Sequence, residues 1–251
     1  MTTLPLLQLH ANQIQVWADL HLHEDQADEI QDFAKQICAV ADSVDAVVVL
    51  GDLFDAWVGR EMWSYPAFQP LLDAFQQLKQ KQIRLILVRG NRDVLMNPAD
   101  VGVVHAELAD RILWRQQANS KAILLSHGDE YCLNDLPYQR LRRSLRRPLI
   151  RTFLRILPHR LRKAIAARMR GHSERAVGRK PMDMMALDES AVESALKDVG
   201  AVGAVIGHLH QERRQELAEG RFLQVLPAWE PGAAAWPGES AGMRSEEAAK
   251  A

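Results

Sequence analysis

Five times along this chain a short apolar run ends in a cluster of polar residues. Ile14-Gln-Val-Trp-Ala18 leads to Asp19-Leu-His21-Leu-His23. Val47-Val-Val-Leu50 leads to Gly51-Asp52. Leu85-Ile-Leu-Val88 leads to Gly90-Asn91-Arg92-Asp93. Ala122-Ile-Leu-Leu-Ser126 leads to His127-Gly-Asp129, and Ala204-Val-Ile206 leads to Gly207-His208-Leu-His210. Short β-branched runs of this kind read as strands buried on both faces. Between the first two, Ile30, Phe33, Ala34, Ile37 and Ala41 recur at helical spacing, which predicts a helix over 26–42. A second helix is predicted over 66–81 from Phe68, Leu71, Leu72, Phe75 and Leu78, and another over 189–199. Strand, helix, strand implies parallel pairing. A short element is expected over 108–114. A hairpin is expected from 212–217 and 221–226 around Ala218-Glu219-Gly220. Residues 1–13 read as a loose lead-in and 231–251 as a disordered tail of Gly, Ala, Pro, Ser and charge.

The pattern changes between Pro137 and Met182. Leu141, Leu145, Leu149, Phe153, Ile156, Leu157, Leu161, Ile165 and Met169 recur three or four residues apart, with arginines in most other positions. Pro148 and Pro158 divide the stretch into about three helices. It carries 15 Lys or Arg against one acid, Glu174, a balance of +14; the whole chain stands at −1, so the remainder carries −15. The expected organisation is a core of 1–136 and 183–230 with a basic helical lid, 137–182, inserted between its halves. The insert has three readings: a solvated helical hairpin, a nucleic-acid patch, or a cap whose apolar stripe accepts acyl chains and whose arginines meet anionic headgroups. The third suits the pattern best.

At 251 residues the chain is long enough for one substantial core. Its two cysteines, Cys38 and Cys132, show no metal-binding spacing, and a reducing compartment is expected. No basic segment followed by an apolar one marks a secretion signal near the N-terminus, and no apolar run is long enough to span a bilayer.

A lone Asp at a strand end is commonly a helix cap. A lone His is commonly a satisfied structural residue. Here Asp19, His21, Asp52, Asn91, His127, His208 and His210 all fall at strand ends, where α/β proteins place their ligand sites. Asp-x-His and His-x-His put both side chains on one side of an extended segment. Oxygen and imidazole donors together suit Mn, Fe or Zn, and a shared carboxylate suits a two-metal hydrolase.

The ordered set Asp19-x-His21, Gly51-Asp52, Gly90-Asn91, His127-Gly and Gly207-His208-x-His210 resembles the calcineurin-like metallophosphoesterase superfamily. The resemblance implies an α/β fold, an αββα two-sheet sandwich, here with a helical cap insertion. It also implies two divalent metal ions, with Mn²⁺ expected. Asp19, His21 and His210 would hold one and Asn91, His127 and His208 the other, with Asp52 bridging. Most members carry His after the Asn. Asn91-Arg92-Asp93 instead resembles the UDP-2,3-diacylglucosamine hydrolases of lipid A synthesis, as do 50–59, His127-Gly-Asp129, Asp135 with Tyr138, and 165–170 followed by Ser173. That branch implies hydrolysis of a UDP-linked diacyl glucosamine lipid to UMP and lipid X by a cytoplasmic enzyme, peripheral on the inner face of the bacterial inner membrane. Asp52, Asn91, Arg92 and His208 would be catalytic. Asn91, Arg92, Asp135, Tyr138, Arg170, Ser173, Lys180 and His208 would contact substrate. Three features depart from the branch: Arg89 where His often precedes Gly-Asn, Val177 where a polar residue is common, and Leu226-Pro-Ala-Trp-Glu230. The rivals are another dinuclear phosphoesterase, such as a nuclease, and a non-catalytic protein that binds anionic lipid.

Overall fold

The computed structural model describes residues 6–177 and 187–238, without the side chains of 171–177. Two sheets stack face to face. One has the order β2(Ile14–Trp17), β3(Ala46–Leu50), β4(Arg84–Val88), β5(Glu107–Ala109), all parallel. The other has the order β1(Leu6–His10), β6(Arg111–Arg115), β7(Ala122–Ser126), β8(Ala201–Ile206), β10(Phe222–Val225), β9(Arg213–Glu216).

The alternation of side chains along β3 accounts for the layering. Ala46, Val48 and Leu50 point to the inter-sheet core with Val16, Ile86, Val88, Ile112, Trp114, Ile123 and Leu125. Val47 and Val49 point the other way, onto Ile30, Phe33 and Ile37 of α1(Ala27–Val40) and Leu71, Phe75 and Leu78 of α2(Gln69–Gln80). Strands apolar on both faces are the consequence, and all five residues of β3 are buried. The outer face of the second sheet is covered by the last helix, Glu189–Val199, through Val192, Ala195 and Leu196. That helix is capped by the Asp188 carboxylate at its start and by left-handed Gly200 at its end. The result is helix, sheet, sheet, helix.

Several expectations change in detail. The element expected over 108–114 is two strands in different sheets, with Asp110 at the crossing between them. Residues 6–10 are not a loose lead-in: β1 pairs in parallel with β6, residue for residue from Leu6 opposite Arg111. Residues 231–238 also depart from the tail expectation. Trp236 exchanges two backbone hydrogen bonds with Val16, both 2.9 Å. The imperfect stretch 226–230 places Trp229 against Phe33, with its indole N–H donating to Gln36 at 3.1 Å. Residues 239–251 lie outside the described residues.

Between the two halves stand α4(Leu136–Leu145), α5(Pro148–Ile156) and α6(His159–Val177), broken where Pro148 and Pro158 fall. A short helix, α3(Pro98–Gly102), follows β4, and the last helix is α7(Glu189–Val199).

Candidate metal centre at the strand ends

The carboxyl ends of β2, β3, β4, β7 and β8 converge. Past β2 the backbone continues to pair with the loop after β3: Asp19 N–H donates to Gly51 O at 3.2 Å, His21 N–H to Asp52 O at 2.9 Å, and Leu22 N–H to Leu53 O at 3.0 Å. Within this ribbon and just past β8 the chain takes a conformation that side chains disfavour. Asp19, His21, Asp52, His208 and His210 all have positive φ, between 50° and 69°. Five non-glycine residues in the left-handed region, all at one site, is stored strain of the kind found at functional sites. Gly51 permits a close approach, since a Cβ there would come within 2.6 Å of His127 Nδ1.

The side chains of Asp19, His21 and His210 bring donor atoms within 4.8 Å of one another, and so do those of Asp19, Asp52 and His127. Asp19 Oδ1 lies 3.8 Å from His127 Nδ1 and 3.6 Å from His210 Nε2. Asp52 lies 3.9 Å from His21 and 3.8 Å from His127 Nε2. The His127 and His208 rings meet edge to face, with centroids 5.0 Å apart. Second partners orient the set. His208 N–H donates to Asp19 Oδ2 at 2.7 Å, and Arg92 N–H to Asp52 Oδ1 at 2.8 Å. His127 Nδ1–H donates to Leu50 O at 2.9 Å, which directs Nε2 into the site.

Three observations test whether this set suits metal. Asp19 Oδ1 is buried without a hydrogen bond. His127 Nε2 faces Asn91 Oδ1 at 3.0 Å, and His21 Nε2 faces His210 Nε2 at 3.2 Å. Each facing pair needs a proton or a cation between its lone pairs. The donor set is carboxylate, amide oxygen and imidazole, which suits a first-row divalent ion. The residues fit.

Electrostatics agree with a site short of positive charge. Burial pushes the Asp52 carboxyl up to about 7, reinforced by Asp93 and Asp19 and opposed by His127. Burial opposes charge on His127, but Asp52, Asp19 and Asp129 prevail and raise it to about 9. Burial lowers His21 and His208 each to about 4; the charges of His210 and Arg92 add to this for His21, and that of His127 for His208.

The expected substrate contacts are less uniform. The Arg92 guanidinium lies 3.9 Å from Asp55, and Arg170 of α6 closes on the same carboxylate. Asp135 caps α4, accepting from Tyr138 N–H at 3.2 Å. Tyr138 stacks its ring on His208, centroids 5.9 Å apart, and donates its hydroxyl to Asp129 at 2.8 Å. The side chains of Ser173 and Val177, and the whole of Lys180, lie outside the described residues.

Spacing and motif alone assign no role to Asp93 or Asp55. Asp93 is buried and accepts from Gly90 N–H at 2.6 Å and Leu53 N–H at 3.2 Å, bracing the two loops that carry Asn91 and Asp52. An acid directly after Asn91-Arg92 is the available signal. Nothing in local spacing pairs Asp55 with Arg170.

Two sheets whose strand ends gather buried carboxylates and imidazoles define a metal-dependent hydrolase class. The model of the calcineurin-like phosphoesterase family matches residues 14–212, and the chain belongs to that family. It is 32% identical over 214 residues to the UDP-2,3-diacylglucosamine hydrolase of Sodalis glossinidius, covering 84% of this chain and 88% of that protein. It is 31% identical over 219 residues to the enzyme of the same name from Shigella dysenteriae, covering 84% and 89%. Among solved structures, a dimetal phosphatase from Danio rerio matches with a TM-score of 0.46 and 12% identity, covering 89% of this chain and 90% of that one.

Proposed function

We propose that the protein hydrolyses the pyrophosphate of UDP-2,3-diacylglucosamine, releasing UMP and 2,3-diacylglucosamine 1-phosphate. The observation that carries this reading is a pair of guanidiniums beside the metal ligands. The core supplies Arg92, the insert supplies Arg170, and the single carboxylate of Asp55 holds both, leaving the cluster net positive. Two fixed positive groups suit two linked phosphates, and Arg offers a planar fork to each. The names of the relatives support the same substrate.

Two bound divalent ions, with Mn²⁺ expected, supply Lewis acidity and a water acidified toward pH 7. Asp19, His21 and His210 would hold one; Asn91, His127 and His208 the other; and Asp52, facing both groups, would bridge. His21 and His208 are neutral at pH 7 and present lone pairs without first losing a proton. Arg92 meets the charge that develops on the phosphoryl oxygens. It cannot donate a proton at neutral pH. An alkoxide leaving group needs such a proton. A sugar phosphate does not, because its last ionisation lies near pH 6. Arg in this position therefore suits cleavage of an anhydride.

The insert gives the reading its lipid side. Leu149, Phe153 and Ile156 of α5 are 86%, 59% and 73% exposed. Arg140, Arg143, Arg147, Arg160 and Arg168 of the same insert are also exposed. This face suits an anionic bilayer and supports a position on the cytoplasmic surface of the inner membrane. No helix among the described residues is long and apolar enough to cross one. The test is UMP release from UDP-2,3-diacylglucosamine with Mn²⁺. Turnover of simple phosphodiesters with none of the UDP-lipid would refute the substrate.

A further inference from the structure

Arg89 occupies the position where the resembling branch often carries His, two residues before Asn91. Its guanidinium grips Asp110 with both branches, Nε to Oδ1 at 2.7 Å and Nη2 to Oδ2 at 2.6 Å. Its third branch donates to Met96 O at 3.2 Å. Asp110 stands where the chain crosses from one sheet to the other. Its Oδ1 also accepts from Arg146 at 3.0 Å, and Arg146 reaches the backbone oxygen of Arg89 at 3.4 Å. Arg146 closes α4 of the insert. From α5, Arg151 donates to Met96 O at 2.9 Å. The side chains of Arg89, Asp110 and Arg146 are only 10%, 4% and 13% exposed.

These bonds hold both ends of one segment. Residues 89–96 carry Asn91 and Arg92, and the insert grips them at Arg89 and at Met96. Gly90 leaves no slack between them, because a Cβ there would strike the Asp52 carboxylate. A shift at Arg89 therefore moves Asn91 relative to Asp52. Displacements of about 1 Å at such positions cost on the order of 10²-fold in rate.

We propose that Arg89, Asp110 and Arg146 form a positioning triad through which the docked insert sets the placement of Asn91 and Arg92. The insert then governs turnover as well as lipid capture. The proposal rests on the phosphoesterase reading of the site, not on the choice of substrate.

The test compares metal-loaded full-length variants on UDP-2,3-diacylglucosamine and on bis(p-nitrophenyl) phosphate. Arg146→Gln is expected to lower kcat about tenfold on both, with each KM within about threefold, an unchanged Mn content and a cooperative melt. Arg146→Lys keeps the charge but loses the fork, and about a threefold loss of kcat is expected. Asp110→Asn combined with Arg146→Gln should lose no more than the worse single variant, because both break one device. Three results overturn the triad: a raised KM with wild-type kcat in Arg146→Gln, strictly additive losses in the double variant, or loss of metal. If Arg146→Gln does not fold, Arg146→Lys decides, and wild-type kcat there overturns the triad. A wild type that cleaves the small diester but not the UDP-lipid refutes the substrate reading alone, and the triad is still read on the diester.

Discussion

Replacing Leu149, Phe153 and Ile156 together by Ser tests the outer face of the insert. The three lie on one side of α5, and their exposed fractions are 86%, 59% and 73%. Complete burial of such a side chain is worth roughly 2 kcal/mol. Weighted by those fractions, the face holds about 4 kcal/mol that a bilayer could recover. At about 1.4 kcal/mol per decade, that is on the order of 10³ in partitioning, or about 30-fold if the helix enters to half its depth. The fold itself loses little, because these side chains already stand in water, and Tm should move by no more than about 2 °C. The assay is co-sedimentation with vesicles containing phosphatidylglycerol, with UMP release and bis(p-nitrophenyl) phosphate cleavage measured on the same protein. Vesicle binding should fall at least about 30-fold, and turnover of the diacylated substrate should fall with it. Cleavage of the small diester should stay within about twofold. In the wild type, salt should weaken binding as the exposed arginines are screened. Unchanged vesicle binding would refute the membrane reading. Equal loss on both substrates with the metals retained would show that this face supports catalysis.

Asp52→Asn should abolish turnover and lower the metal stoichiometry, measured by elemental analysis; full activity in that variant, or in chelated wild type, would remove the metal from the mechanism. Arg92→Ala should lower kcat/KM by roughly 10²-fold, equivalent to about 2.7 kcal/mol, with metal content intact; metal loss instead would make Arg92 a scaffold residue. Metal loading at pH 7 should release about one to two protons, seen by calorimetry in buffers of different ionisation enthalpy, because His127 stands at about 9 and Asp52 at about 7. Between about pH 6.5 and 9 the metal-free protein should lose stability as pH rises, because His127 binds its proton more tightly folded than unfolded; below that range Asp52 acts the same way, but His21 and His208, each lowered to about 4, act in the opposite direction. A melting temperature that climbed across that range would contradict these assignments.

Much of the core is legible because its strands announce themselves twice, first by an apolar run and then by the polar cluster at the run's end. All five runs are strands, and Asp19, His21, Asp52, Asn91, His127, His208 and His210 gather where those strands end. Alternate spacing in Asp19-x-His21 and His208-x-His210 suggests extended backbone. The structure instead reaches the same side through left-handed residues, a conformation that no local preference of Asp or His demands. β1 escapes a local reading because its pairing with β6 spans about a hundred residues, and only the partner strand makes Leu6–His10 a strand. Trp236 is a similar case: its contact with Val16 is tertiary, within a composition that reads as disorder.

The direction of the insert is the larger departure, and its cause is electrostatic. An apolar stripe opposite an arginine face normally means apolar inward. Here several arginines turn inward. Arg142 meets buried Asp129 at 2.5 Å, Arg155 lies 3.8 Å from Asp100, and Arg162 meets Glu61 at 2.6 Å; Arg146 and Arg170 take Asp110 and Asp55. Their partners all belong to the part of the chain that carries the −15 balance. The charge split between insert and remainder is visible in the sequence, but its consequence is a contact surface. An insert of +14 finds its partners on an acidic rim, and its hydrophobic side is left facing out. An apolar face turned outward by its own counter-charges costs solubility unless something covers it. On the proposed function, a lipid surface would be the covering that also delivers the substrate, which the vesicle measurement above tests.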